Sequence, residues 1–414
     1  MLSGSVFYVL IFIFNTLQTL YFIVKFPVLF LVIGLISACS STAQKAQKIE
    51  QQQAELDSIA LIYDATEANQ QIDEFMQKLH QRLGFNGNVL VAKKGKIIYQ
   101  NTFGWADYLH RDSLKIDSKF ELASVSKPLT ALAVLQLVEQ GKLDLDALVS
   151  SFFPDFPYEG VTVRQLLAHR SGLPNYIYLV DKIWEDKRKG MTNADALALL
   201  TEHKPAREGA PDGRFQYNNS NYMLLASIVA KVSGQDFPSY MQEHIFNPAG
   251  MKNTAALPKI GREKVPTNVI GHDKVWRRSV VQDFLDGTIG DKGIYSSVQD
   301  LYLLDRALKE GRILSQGMQD SAYFPRSDPN RGLFSYGYGW RTFSPVDARI
   351  VYHTGWWHGF KNLYVRDLTN DVTIVLLSNF VNNSLNHLDD LYKILEIPIL
   401  RRNAYDAKGG FVEH

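Results

Sequence analysis

Strand-like segments near both ends of the folded body, with helix-like segments between them, predict an α/β (α+β) fold. It would be an antiparallel sheet built from N- and C-terminal strands, flanked by helices, with a mostly helical lobe inserted. Three observations carry this expectation. A hairpin pattern stands at residues 88–99, four short β-type runs return after residue 336, and residues 160–320 read as helices broken by Gly and Pro. The 414 residues are 46% hydrophobic and 21% charged, which is a globular composition, and the length fits one two-lobed domain or two domains.

The N-terminal segment reads as an address rather than as fold. Residues Met1 to Val24 carry no charge, Lys25 is the first and Lys45 the next. Between them run Phe26-Pro-Val-Leu-Phe-Leu-Val-Ile-Gly-Leu-Ile36 and then the small residues Ser37-Ala-Cys39-Ser-Ser41. A positive charge, an apolar run and small residues have the form of a secretory signal, here 1–38. Ile36-Ser-Ala-Cys39 resembles a bacterial lipobox, whose cysteine becomes lipid-modified and the new N-terminus; Cys39 is the chain's only cysteine. The alternative is an uncleaved membrane helix over 6–36. The apolar run Val6–Phe14 precedes the charge, unlike an ordinary signal, and a start near Leu20–Val24 on a non-Met codon accounts for it. Residues 39–66, with the polar stretch Gln44–Glu55, form a tether. These readings place the body at a membrane surface outside the cytoplasm, periplasmic or on the cell surface.

The body, 67–400, follows in order. Ile72, Phe75, Met76 and Leu79 recur at helical spacing and predict a helix near 66–83. Asn88-Val-Leu-Val-Ala and Ile97-Ile-Tyr, joined around Gly95, predict a hairpin. Leu129 to Val138 reads as a buried helix closed by Gly141. Strands are expected at Tyr336–Arg341, Arg349–His353, Asn362–Val365 and Val372–Leu377, then a helix around 384–396 and a tail at 401–414.

Several functions are excluded by inspection. A net charge of +1, from 44 basic and 43 acidic residues, gives no field for a nucleic-acid partner. One cysteine forbids an internal disulfide. No G-x-S-x-G elbow, P-loop, G-x-G-x-x-G or H-E-x-x-H occurs. A metal at His353 and His358 is disfavoured because no acidic residue lies in their loop.

Three segments carry candidate chemistry. In Ser124-Val-Ser-Lys127 the two outer residues share one face at the start of a helix. A serine hydroxyl needs a neighbouring base, and a lysine can serve as one. The alternative is a capping serine followed by a solvated lysine. In Tyr217-Asn-Asn219-Ser220 the phenol can relay a proton and the Asn219 amide can orient a substrate, or Asn219 or Ser220 merely caps the next helix. In His353-Thr354-Gly355-Trp356-Trp357 a strand ends in a glycine that admits close backbone approach, with amides available to an oxyanion. There the alternative is an aromatic turn that packs the sheet.

Ser-x-x-Lys, Tyr-x-Asn and His-Thr-Gly in this order resemble the penicillin-recognising serine hydrolases: class C β-lactamases, D-Ala-D-Ala carboxypeptidases and related esterases. Leu166–Pro174, Ile245–Thr254 and Gly290–Leu301 look like further family segments, so the resemblance spans about residues 70–395. It implies a β-lactamase/transpeptidase-like fold, with Ser124 as nucleophile, Lys127 as its base and Tyr217 as general acid/base. It also implies that Asn219, His353, Thr354 and Gly355 bind substrate. The oxyanion hole would come from the backbone N–H groups of Ser124 and Trp356. No cofactor or metal is called for. The expected substrate is a small molecule or a short cell-wall peptide, and no nucleic-acid partner is expected. Histidine at 353, where many β-lactamases carry lysine, ranks an esterase or peptidase above an efficient β-lactamase. A catalytically silent binding or sensing lipoprotein of the same fold is the main alternative, and a purely structural lipoprotein is the third.

Overall fold

The computed structural model describes residues 67–404, apart from 276, 328–332 and 346. The expected signal, Cys39, the tether and nearly all of the expected tail lie outside the described residues. Among the described residues no helix is long and apolar enough to cross a membrane.

Helix α1 (Glu67–Leu83) leads into strands β1 (Gly87–Lys93) and β2 (Lys96–Phe103). The late strands are β3 (Phe334–Tyr336), β4 (Arg341–Phe343), β5 (Ile350–Trp357), β6 (Phe360–Asp367) and β7 (Val372–Ser378). All seven form one antiparallel sheet in the order β2-β1-β7-β6-β5-β4-β3, so the first hairpin closes onto the last strand as expected. β1 and β7 are buried along nearly their whole length, which explains their unbroken apolar sequence. On one face Ile72, Met76 and Leu79 of α1 join Val89, Val91, Ile374 and Leu376 in a core that also takes in Leu391 and Tyr392.

Helix α2 (Ser126–Glu139) is buried on nearly every side, helix α3 (Asn219–Ser233) packs on it, and helix α4 (Val298–Lys309) lies against β1 and β7. A helix apolar all round belongs inside a protein, and α2 fills that place.

Two expectations are corrected. Tyr336–Arg341 is not one strand, because residues 337–340 form the bend between β3 and β4. Gly339, at φ 82°, packs there against the Ala131 side chain and the Lys127 carbonyl of α2. The final helix is shorter than 384–396: a 3-10 turn (Ser384–Asn386) precedes helix α5 (Asp389–Ile394).

Candidate active site

Ser124 sits in a 3-10 turn, Ala123–Val125, that feeds directly into α2. Ala123 holds φ 52°, a left-handed conformation that alanine adopts only when its surroundings enforce it. Glu121 is part of that enforcement. Its Oε1 accepts from the N–H of Ala123 at 3.1 Å and of Gly293 at 2.9 Å, and its own carbonyl accepts from Asn362 Nδ2 at 2.8 Å. Burial pushes the Glu121 carboxyl up to about 8, the backbone donors only partly opposing it, and Oε2 has no partner.

Lys127 ties the centre together. Its buried Nζ reaches Ser124 Oγ at 3.0 Å, Asn219 Oδ1 at 2.8 Å and the Asp291 carbonyl at 2.9 Å. The Asp291 carboxylate is answered by Lys292, whose Nζ also donates to Tyr176 and Thr288 at 2.7 Å. That buried network holds the loop from which the Asp291 carbonyl faces Lys127.

Tyr217 and Asn219 stand at the start of α3, whose cap is Asn218, neither of the two residues that the sequence suggested. Asn218 Oδ1 accepts from Ser220 N at 2.8 Å, which frees Asn219 to reach Lys127. The Tyr217 hydroxyl is buried without a hydrogen-bond partner, and its ring centroid lies 4.9 Å from Lys127 Nζ. Beneath the loop, His169 Nδ1 accepts from the Asn218 N–H at 3.1 Å, which leaves its proton on Nε2. Burial, then the charge of Lys127, holds His169 well below the usual histidine range, so it is a neutral prop.

β5 supplies the opposite wall. His358 and Gly359 both have positive φ and join Trp357 to Phe360 in a two-residue hairpin turn. Residues flanking such a turn exchange both backbone hydrogen bonds, so Thr354 and Trp356 aim their N–H groups at the other edge. Pairing with β4 stops at Tyr352, and that edge is free of strand partners beyond it among the described residues. Gly355 approaches the turn that carries Ser124 so closely that a Cβ would lie 2.2 Å from the Leu122 carbonyl oxygen. The glycine therefore fits strand to turn within the protein itself.

Alternation along β5 sorts the remaining residues. Thr354 and Trp356 face a cavity of about 1070 Å3 that also meets Ser124, Tyr217, Asn219 and Arg341; Trp356 is 71% exposed at its mouth. His353 is fully buried, with Nδ1 2.8 Å from the Thr354 carbonyl and Nε2 3.1 Å from the Tyr336 hydroxyl. Burial, then the charges of Arg341 and Lys127, holds it well below the usual histidine range. It gives the cavity no charge. Arg341 does: it lines the cavity beside Tyr217, and its Nε is buried without a partner.

The sequence reading missed Glu121, His169 and Arg341. His169 lay inside a segment already singled out, but its role depends on Asn218, 49 residues away. No acidic residue lies in the His358 loop itself, but Asp283 and Asp286 arrive from a distant segment, so the ground on which a metal was disfavoured there does not hold. His358 lies 3.4 Å from Asp283 and 3.0 Å from Asp286, all three donors being within 4.8 Å of one another. Despite burial, bonds to both carboxylates hold His358 up at about 9, so they clamp an imidazolium. Trp357 Nε1 donates to Asp286 at 2.7 Å and completes the clamp on the β5–β6 hairpin.

Known proteins share both chain and fold. The chain is 36% identical over 321 residues to penicillin-binding protein 4* of Bacillus subtilis (strain 168), covering 73% of this chain and 71% of that protein. It is 30% identical over 319 residues to the putative penicillin-binding protein PbpX of the same organism, covering 76% and 75%. A penicillin binding protein from Bacillus halodurans superposes with TM-score 0.68 at 24% identity, covering 80% of this chain and 100% of that one. D-amino acid amidase from Ochrobactrum anthropi SV3 does so with TM-score 0.66 at 24% identity, covering 80% and 98%. At these identities the two structures speak for the fold. The Beta-lactamase family model matches residues 69–397, and the chain belongs to that family of serine hydrolases.

Proposed function

We propose that this protein hydrolyses an amide, ester or D-amino-acid peptide through an acyl-enzyme on Ser124. The observation that carries the reading is the single Lys127 side-chain nitrogen shared by Ser124 Oγ and Asn219 Oδ1. Ser124 Oγ attacks the substrate carbonyl as its proton passes to Lys127 in the neutral amine form, and the resulting ammonium returns that proton to Ser124 Oγ when the acyl group leaves. The oxyanion is held by the N–H groups of Ser124 and Trp356, each worth on the order of 3 kcal/mol. The unpartnered Tyr217 hydroxyl passes a proton to the leaving group and later receives one from the water that frees Ser124. Arg341 meets a carboxylate on the leaving side. The relatives named penicillin-binding proteins and the amidase neighbour favour a D-configured peptide or amide. The neutral, buried His353 argues against efficient β-lactam turnover.

The test compares the soluble body, residues 40–414, with its Ser124→Ala variant on a short-chain nitrophenyl ester and a D-alanine amide. Turnover that disappears in the variant supports the reading. Full activity in Ser124→Ala refutes it, and tight binding with no product from either protein favours the silent binding lipoprotein. We also propose that lipid on Cys39 holds the body at a membrane, which predicts release of Cys39→Ser from the membrane fraction.

A further inference from the structure

The cavity continues past Ser124 along the sheet face that carries Thr354 and Trp356, to Lys361 on β6 and to Asn382 and Asn386 beyond β7. Lys361 pairs with Trp356, Leu363 with Thr354 and Arg341 with Tyr352, so both cations stand on the face that carries Thr354 and Trp356. Tyr352 and Trp356 are four residues apart and β4 and β6 are two strands apart. Those spacings put Arg341 and Lys361 about 17 Å apart at the backbone.

Lys361 is a built feature of this wall. Its Nζ donates to the Asn382 carbonyl at 2.8 Å and to Asn386 Oδ1 at 3.4 Å, which leaves the third N–H available. Among the described residues it has no carboxylate partner. The acid on the cavity wall, Asp273, is already paired with Arg278 at 3.2 Å. Burial pushes the Lys361 ammonium below its usual range, as expected of a partly desolvated cation lacking a counter-charge. Arg341 lies beside Tyr217, which the proposed mechanism puts at the leaving group, and Lys361 lies opposite Trp356, four residues along β5 from the Tyr352 that faces Arg341.

We propose that Lys361, held by Asn382 and Asn386, is an acyl-side subsite for a carboxylate, so that the preferred substrate has an acidic acyl portion. This rests on the hydrolase reading above. The leaving-side carboxylate and the acyl-side carboxylate are separate groups recognised by separate cations.

The experiment uses two substrates of similar length and equal leaving group, glutaryl-D-alanine p-nitroanilide and its neutral counterpart valeryl-D-alanine p-nitroanilide. Neither carries a leaving-side carboxylate, so Arg341 does not contribute. The wild-type body should show a KM about five- to tenfold lower for the glutaryl compound, a preference that shrinks as salt rises from 0.05 to 0.5 M. The ratio should fall to about one in Lys361→Gln, persist in Lys361→Arg and invert in Lys361→Glu. Calorimetric binding of both compounds to Ser124→Ala, with and without Lys361→Gln, reads the same preference without turnover. Equal binding of the two compounds, or a preference that survives Lys361→Gln in a folded variant, overturns the subsite. Absence of turnover on both compounds counts against the hydrolase reading alone, since the calorimetric arm still decides the subsite.

Discussion

Replacing Gly355 by alanine tests how the Ser124 turn and β5 are spaced. Gly355 does not lie at positive φ, so the substitution adds no backbone strain and its cost is steric. The new Cβ would lie 2.2 Å from the Leu122 carbonyl oxygen and 3.2 Å from the Ala123 Cβ. An ordinary carbon–oxygen contact is about 3.3 Å, so the two backbones must separate by about 1 Å. The turn resists because Glu121 holds Ala123, and β5 resists because β6 pairs with it through Trp357. Whichever yields, the proposed oxyanion hole of the Ser124 and Trp356 N–H groups is pulled apart. A misplacement of about 1 Å costs about a hundredfold in rate, and the crowding costs about 1–3 kcal/mol of stability. The assay is kcat/KM on the nitrophenyl ester together with the thermal midpoint. Gly317→Ala, where nothing lies within 4 Å, is the control. A Gly355→Ala protein within threefold of wild type and with an unchanged midpoint would refute the reasoning.

Further expectations concern charge. Glu121 titrates higher in the fold than when unfolded, so its contribution to stability is full below about 4.5 and is lost as pH rises through about 8. Glu121→Gln should therefore flatten the fall in thermal midpoint between pH 5 and 9, and an unchanged slope would exclude Glu121 as its source. The stabilising contribution of His358 is full below about 6.5 and lost as pH rises through about 9. His358→Asn should remove up to about 3 kcal/mol of stability at pH 7 and almost none at pH 10, read from denaturant midpoints. Arg341→Ala should raise KM at least tenfold for a D-alanyl-D-alanine peptide but little for its C-terminal amide. Equal effects on the two would remove Arg341 from carboxylate recognition.

Much of the fold was legible because its elements are written in local periodicity. The 3.6-residue recurrence of Ile72, Met76 and Leu79 and the apolar runs of β1 and β7 report burial directly. The bend at 337–340 was not legible, because its Gly339 answers to α2, some 200 residues earlier. Ser124, Lys127, Tyr217 and Asn219 were legible as motifs, and the structure brings them together around one nitrogen. His353 shows the opposite case. Its motif position marked it for substrate, but strand alternation and packing against Tyr336 turned it inward. Arg341 had no motif, and only the pairing of β4 with β5 carries it to the cavity.

What the sequence determined by itself, then, is the kind of chemistry at stake and the elements that bear it. Residue type, short spacing and hydrophobic period are local quantities, and they survive without knowledge of the fold. Charge at the site was decided only by tertiary structure. Burial and neighbouring cations keep His169 and His353 neutral, two distant carboxylates keep His358 charged, and an enclosed pocket keeps Glu121 protonated. The physical reason is that a protonation state depends on solvent and on every charge within several ångströms, and those neighbours come from segments far apart in the chain.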